Sequence, residues 1–220
     1  MLSRFAKSTV HFFVKRNIIE SEDEEVYAYG TELLYSAVLN ILLAIIISII
    51  TNTFYPTFLF MLSFVVIRQY IGGYHAETHI GCMSILGVLL IVFSQFIRFV
   101  PSETVILISM ILTAISVAFT IMFAPVEHPN KPLSKKEKNN LRKRGIIAVI
   151  VIAILIIVLS MSEITKRCGM YITLGMFTAS IAMLCQVIKY CIKKRRNRFR
   201  YYRSELDLII YKKFIWRVHL

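Results

Sequence analysis

Long uncharged, apolar runs constrain this chain more than any other feature of its sequence. The first extends from Leu33 to Ile67 without a charged residue. A helix crosses the hydrocarbon of a bilayer with about 20 apolar residues, or about 17 at the short end. This run is therefore too long for one crossing, and we divide it near Pro56 into Leu33–Thr51 and Phe54–Ile67. The other uncharged runs are Thr78–Ile97, Thr104–Val126, Gly145–Ser162 and Cys168–Ile188.

These runs predict an all-α, polytopic membrane protein with about six transmembrane helices. Hydrophobic residues make up 57% of the chain, whereas soluble domains stay nearer to half, and five strong spans disfavour a soluble helical bundle. Phe54–Ile67 is the weakest of the predicted spans, because it is short enough to form a re-entrant segment instead.

Lysine and arginine are distributed unevenly about these spans. The chain carries 26 of them and a net charge of +13. With the N-terminus inside, all but Arg98, Lys166 and Arg167 fall on the cytoplasmic side, as the positive-inside bias requires. We therefore expect both termini in the cytoplasm. Since topology accounts for the basic charge and no soluble domain is long enough to bind nucleic acid, we expect no nucleic-acid partner.

The two ends of the chain differ from the membrane domain, which we place at residues 31–190. Residues 1–30 predict an N-terminal amphipathic helix followed by an acidic linker, and residues 191–220 form a basic and aromatic cytoplasmic tail. On a helical projection the basic face holds Arg4, Lys7, His11 and Lys15, and the opposite face holds Leu2, Phe5, Ala6, Phe12 and Phe13. Such a helix binds the headgroup region of anionic lipids or packs against the membrane domain, and the pattern fits both.

Titratable groups cluster between the second and third spans, where Arg68, His75, His79 and Cys82 lie within one short segment. Ionisable groups at a membrane boundary are costly and call for a functional explanation. A thiol becomes a nucleophile when a base or a positive charge favours its thiolate form. The segment therefore predicts a cysteine nucleophile, Cys82, and lies on the cytoplasmic side.

Spacing alone leaves the base open between two histidines. On one unbroken helix His75 and Cys82 lie about 10 Å apart along the axis, beyond hydrogen-bond reach, whereas His79 is a natural neighbour of Cys82. Spacing therefore favours His79. However, Gly72, Gly73 and Gly81 make an irregular backbone plausible, and such a backbone could bring His75 to the thiol.

Two other interpretations of the segment need weighing. His75, His79 and Cys82 are possible zinc ligands, but the metalloprotease signature needs Glu directly after its first His, and Ala76 stands there. A structural site also needs a fourth ligand, and none stands out, so we expect no metal and no cofactor. The other alternative is a set of juxtamembrane polar residues that face water and anchor helices.

The run Arg68…Gly72-Gly73-Tyr74-His75-Ala76…Cys82 resembles the central motif of the AgrB family, the accessory gene regulator B proteins of Gram-positive bacteria. A second stretch, Ala124 to Leu133, is similar to the family's proline- and lysine-containing loop after the fourth span. The resemblance covers roughly residues 1–190. It implies an integral-membrane cysteine endopeptidase of the bacterial cell membrane that cleaves a small precursor peptide. The enzyme then cyclises it, through a Cys thioester, to a thiolactone or lactone quorum-sensing peptide.

The same resemblance assigns His75 and Cys82 as the catalytic pair, with Arg68 and Gly73 in support, and leaves His79 as the alternative base. Arg68 is equally explained as a snorkelling residue at the end of span two. The implied substrate is a precursor with an amphipathic leader and an acidic C-terminal segment, and a homodimer is the oligomer that the family suggests.

Substrate capture is expected to use basic residues on the same side as the site. Lys131, Lys135 and Lys136 could steer an acidic segment, although each is also explained by topology and contact with anionic lipid. The competing functional class is a peptide transporter or exporter without proteolytic activity. Such a protein needs polar residues spread through several spans, whereas the ionisable groups here gather at one boundary.

Overall fold

The computed structural model describes the backbone of residues 2–73, 78–126 and 134–218, with side chains up to residue 192 apart from that of His79. Within these ranges the chain forms seven α-helices and one short 3₁₀ turn, Ser21–Asp23. The helices are α1 (Leu2–Lys15), α2 (Glu24–Ile50), α3 (Phe54–Ile71), α4 (His79–Phe99), α5 (Val105–Phe123), α6 (Lys135–Ser160) and α7 (Lys166–Val218).

Helices α2 to α7 are long and apolar enough to cross a membrane. The six predicted spans are thus confirmed, and the protein is a multi-pass membrane protein. α3, the span in doubt, is one unbroken helix of 18 residues, or about 27 Å, close to the thickness of the hydrocarbon.

Several helices extend beyond the uncharged runs that predicted them. α2 begins at Glu24 and α6 at Lys135, so both start among charged residues outside the apolar stretch. A helix satisfies its backbone hydrogen bonds internally and need not stop where the hydrocarbon does. α7 likewise continues without a break past residue 190, where the sequence changes from apolar to basic, and its 53 residues measure about 80 Å.

The amphipathic helix α1 packs against α2. Ala6 and Val10 are buried, Thr9 Oγ1 lies 2.9 Å from the Tyr35 hydroxyl, and His11 Nδ1 lies 3.4 Å from a Glu24 carboxylate oxygen. The larger aromatic side chains on α1, Phe5 and Phe12 among them, remain exposed. One part of the apolar face therefore packs on the membrane domain, and another part is free for lipid.

α3 and α7 form the centre of the bundle. The larger core cluster joins the C-terminal half of α3 to α6 and α7 through Phe64, Ile67, Ile71, Val149, Ile156, Ile172, Met176, Ala179 and Met183. A second cluster joins the other end of α3 to α4, with Phe60, Leu90 and Phe93 in contact. Arg68 and Gly73 of the candidate site lie at or just after the C-terminal end of α3, on the side that packs against α7.

Small residues allow α3 and α7 to touch through their backbones. The Ser63 hydroxyl donates to the Ile172 carbonyl oxygen of α7 at 2.9 Å and is 3.0 Å from the Phe60 carbonyl oxygen of its own helix. Gly175 of α7 faces this turn, and a Cβ placed there would overlap both Ser63 Oγ and the Phe60 carbonyl. Without a hydrophobic driving force between helices in lipid, such close packing is what holds a membrane bundle together.

Candidate active site

The helix that carries Arg68 ends before the one that carries Cys82 begins. α3 ends at Ile71, α4 begins at His79, and Gly72 and Gly73 between them are not helical. Gly72 has φ +77° and ψ −163°, a backbone conformation that is essentially limited to glycine. One unbroken helix through residues 68–82 is therefore excluded. The argument that His75 is too far from Cys82 assumed such a helix, so it no longer applies.

Cys82 is the fourth residue of α4 and is half-buried. Thr78 caps this helix: its Oγ1 accepts a hydrogen bond from the Gly81 amide at 3.1 Å, and its carbonyl oxygen accepts one from the Cys82 amide at 3.1 Å. Because side chains on a helix lean toward its N-terminus, the Cys82 thiol lies over the first turn. The positive end of the helix dipole favours a negative charge there.

Arg68 faces into the protein from the last turn of α3. Its guanidinium carbon lies 5.3 Å from the centre of the Phe64 ring, a cation–π distance. Its Nε lies 3.6 Å from the Cβ position of Gly73, and its charge interacts electrostatically with Cys82. A cation in the last turn of α3 therefore lies near a thiol in the first turn of α4.

α7 closes one side of this arrangement. Gly73 is buried, and its Cβ position lies 3.7 Å from Ala182 Cβ. Gln186, one turn further along α7, is also buried, with only 6% of its surface exposed. The sequence offered no signal for either α7 residue, because an alanine and a glutamine in an apolar span have no distinguishing pattern.

The segment after α5 is held against the end of α3. The Val126 amide donates to the Ile71 carbonyl oxygen at 3.0 Å, and a Cβ on Gly72 would lie 2.5 Å from the Val126 carbonyl oxygen. Farther on, Arg142 of α6 donates to the Ile121 carbonyl oxygen in the last turn of α5 at 3.3 Å. Two stretches that are distant in sequence, 68–82 and 124–133, thus begin beside each other.

Lys135 and Lys136 open helix α6 and are exposed. Ser134 and Glu137 form a capping box around them, with Ser134 N to Glu137 Oε2 at 2.9 Å and Glu137 N to Ser134 Oγ at 3.3 Å. Positive charges in the first turn oppose the helix dipole. The two lysines therefore do not stabilise α6, and their presence needs another reason, such as an anionic ligand or lipid.

Part of the predicted site lies outside the described residues. This holds for His75 and Lys131, and for the side chain of His79, whose backbone begins α4. Across the part of the chain that is described, no group of three or more His, Cys, Asp or Glu side chains is placed to hold a metal ion. The structure thus brings Arg68, Gly73 and Cys82 together and leaves the choice between the two histidines to experiment.

Sequence reasoning missed the residues that position this site. Thr78 was recognisable in principle, since threonine directly before an apolar helix is a common N-cap. For Gly72 the sequence predicted no more than an irregular backbone. No local pattern predicted the role of Val126, because two helices separate it in sequence from its partner Ile71.

Comparison with known proteins decides the family. The family model of accessory gene regulator B matches residues 6–189, which include the whole of the arrangement above. The chain belongs to the AgrB family. Its membership supports a role in the processing of the accessory gene regulator quorum-sensing peptide.

Curated relatives of this AgrB protein come from Clostridium perfringens. An AgrB-like protein of strain 13 (type A) is 26% identical over 147 residues, which cover 64% of this chain and 68% of the relative. An AgrB-like protein of strain SM101 (type A) has the same identity and coverage. No solved structure matches the chain.

Proposed function

We propose that this AgrB protein is an integral-membrane cysteine endopeptidase that cleaves a precursor peptide and closes the retained part into a ring. The observation that carries the proposal is the meeting of Cys82, in the first turn of α4, with Arg68, in the last turn of α3. A helix N-terminus and a nearby cation are the two surroundings that make a cysteine nucleophilic.

In the first step the Cys82 thiolate attacks one peptide carbonyl carbon of the precursor. His75 takes the thiol proton beforehand and returns it to the nitrogen of the leaving C-terminal segment when the C–N bond breaks. The retained part of the precursor stays on Cys82 as a thioester. Arg68 stabilises the negative charge that develops, first on sulfur and then on the carbonyl oxygen.

In the second step an internal thiol or hydroxyl of the precursor attacks this thioester. The new S–C or O–C bond closes a thiolactone or lactone, the bond to Cys82 breaks, and His75 passes the proton of the attacking thiol or hydroxyl to the Cys82 thiolate. Exchange between two thioesters is nearly balanced, so the protein supplies orientation more than driving force. Water is the competitor, and a half-buried thiol between helices limits its access.

Substrate capture uses the basic residues near the start of α6. Lys135 and Lys136 are exposed there, Lys131 precedes them in the sequence, and all three suit an acidic C-terminal segment of the precursor. The positive-inside bias places these lysines and the site on the cytoplasmic side of the cell membrane. The amphipathic leader of the precursor and α1 both suit the anionic lipid surface on that side.

The test is cleavage of the cognate precursor by the full chain in membrane vesicles. Cys82→Ala and His75→Ala are expected to lose activity by about a thousandfold or more, because members of a nucleophile–base pair act as a unit. His79→Ala is expected to stay within about threefold of the native rate. Cys185→Ala replaces an exposed cysteine of α7 and is the matched control for thiol removal.

Three outcomes would change the assignment. If Cys82→Ala still cuts and cyclises the precursor, Cys82 is not the nucleophile; if the native chain does not cut it, the peptidase is excluded and a transporter without proteolytic activity takes its place. If His79→Ala fails while His75→Ala works, the enzyme class stands and His79 is the base.

A further inference from the structure

Helix α1 lies beside the stretch of α2 that enters the membrane. Thr9 Oγ1 of α1 lies 2.9 Å from the Tyr35 hydroxyl, and His11 Nδ1 lies 3.4 Å from a Glu24 carboxylate oxygen. Glu24 and Tyr35 lie on either side of the point, just before Leu33, at which the charged residues of α2 give way to its long uncharged run. α1 is therefore held at the depth of the lipid headgroups, which form a layer of about 5 to 8 Å on each side of the hydrocarbon.

Two neighbouring faces of α1 have different surroundings. Ala6 and Val10, one turn apart, are buried and belong to the face that packs on α2. Phe5 and Phe12, two turns apart, form a second face and are 68% and 54% exposed. Successive residues of a helix are about 100° apart around its axis, so Phe5 lies between the packing face and Arg4. The contact with α2 therefore leaves the aromatic face open to lipid.

Cations border the aromatic face on the side away from α2. Arg4 and Lys15 lie three turns apart on this border, and both are exposed. Arg16 follows, and its guanidinium carbon lies 5.3 Å from the centre of the Phe12 ring. No Asp or Glu occurs in the sequence before Glu20, so α1 carries positive charge alone. A helix with an aromatic face and basic residues along its edge suits the boundary between headgroups and acyl chains.

The other basic residues of α1 face a protein partner instead. His11 contacts Glu24, and Lys7 lies one turn before His11 on the same side of the helix. Acidic residues close to the start of α2 offset the charge of this side, namely Glu20, Glu22, Asp23, Glu24 and Glu25. Within the described residues, Arg4 and Lys15 make no ion pair. These two cations are therefore the ones available to a phosphate group.

We propose that α1 is a binding site for anionic phospholipid, with Phe5 and Phe12 against the acyl chains and Arg4, Lys15 and Arg16 at the phosphate groups. The membrane leaflet that α2 enters supplies this ligand at the depth where α1 is held. The contacts with α2 fix which face of α1 is turned to the lipid. α1 thus anchors the start of the membrane domain to lipids of one charge class, a role that does not depend on the peptidase reaction.

The test uses the full chain at one copy per lipid nanodisc, with Phe12→Trp in a Trp216→Phe background, so that position 12 carries the one indole of the chain. The discs contain phosphatidylcholine and a smaller share of phosphatidylglycerol. Either lipid is supplied in brominated form, which quenches indole fluorescence on contact. At equal mole fraction, brominated phosphatidylglycerol is expected to quench at least about twofold more strongly, because each Lys or Arg near the surface favours anionic lipid by about fivefold.

Arg4→Gln combined with Lys15→Gln removes two cations from this background and leaves the aromatic face intact. The quenching ratio of phosphatidylglycerol to phosphatidylcholine is expected to fall to about one, whereas quenching by brominated phosphatidylcholine persists. Lys143→Gln combined with Arg144→Gln is the matched control, because it removes the same charge from two exposed positions of α6. That control is expected to keep the full preference for phosphatidylglycerol.

Three results would overturn the lipid site. Equal quenching by the two lipids before any cation is removed would exclude an anionic ligand. Loss of quenching by both lipids in Arg4→Gln with Lys15→Gln, together with new quenching by aqueous iodide, would mean that these cations hold α1 against protein. Shielding from both lipids that arises only in discs with two chains would identify a second copy as the occupant. Since none of these readouts involves cleavage, the lipid site and the proposed function stand or fail separately.

Discussion

α3 meets α7 in two places, and the two contacts are built differently. In the middle of the membrane, Ser63 and Gly175 bring the two backbones together, and the space between them is filled. At the C-terminal end of α3, Gly73 and Ala182 meet at ordinary van der Waals distance, and Arg68 lies beside them. The first contact is closely packed and stabilises the bundle, whereas the second leaves room for a charge and a thiol.

The difference separates the scaffold of this membrane protein from its candidate site. In the middle, buried hydroxyls such as those of Ser63 and Thr173 donate to the Ile172 and Gly169 carbonyl oxygens of α7. At the end, the polar groups come from helix termini, where backbone geometry and dipoles are available. Changes in the middle should therefore alter the folded fraction, and changes at the end should alter the rate.

Gly175→Ala should have the largest effect on stability. Its new Cβ would overlap the backbone and Ser63 of α3, and overpacking of this kind costs about 3 kcal/mol. We expect a clearly lower midpoint in thermal aggregation in detergent, with the rate per folded molecule nearly unchanged. Gly87→Ala, whose Cβ would make ordinary contacts at 3.7 and 3.8 Å with α2 side chains, is the control.

If Gly175→Ala keeps native stability but loses activity, the division between a stabilising contact and a functional one is wrong. The mid-membrane contact would then belong to the catalytic machinery and not to the scaffold.

Arg68→Lys should have the next largest effect, and it should be on rate. Lysine keeps the charge but loses the planar group that lies over Phe64, so the cation no longer has a fixed place beside Cys82. We expect kcat/KM to fall by about 30-fold, which corresponds to about 2 kcal/mol, with a thermal midpoint close to native.

Arg98→Lys is the matched control for that change. Arg98 also lies in the last turn of a spanning helix, α4, but at the other end of the bundle, where it donates to the Thr51 carbonyl oxygen at the end of α2. A similar fall in kcat/KM in both variants would mean that Arg68 acts through helix packing and not at the thiol.

Thr78→Ala should have the smallest effect and should lower both stability and rate. Loss of an N-cap costs about 1 kcal/mol, and α4 would fray at the turn that holds Cys82. We expect a slight drop in thermal midpoint and a fall of a few fold in kcat. Thr78→Ser, which keeps the hydroxyl, should restore both; no recovery there would exclude capping as the reason.

The membrane spans were predictable from the sequence because hydrocarbon selects strongly against charge. The segment 68–82 was recognisable for the same reason, since its titratable groups stand out between two uncharged runs. Helix ends were less well predicted, as α2 and α6 show, because the limit of the hydrocarbon and the limit of a helix are different quantities. Within the site, residue types indicated a nucleophile and a cation, but spacing along one chain did not say which groups meet.

The sequence by itself determined the helical class, the six crossings and the presence of Cys82, Arg68 and two histidines at one membrane boundary. Those properties depend on composition over about 20 residues at a time, which hydropathy records directly. Only the tertiary structure decided that Cys82 stands in a capped first turn, that Arg68 turns inward over Phe64, and that Val126 lies against Gly72. The last of these joins segments far apart in sequence, and the first two depend on where α3 ends and α4 begins. All three follow from backbone conformation and close packing, which hydropathy does not record.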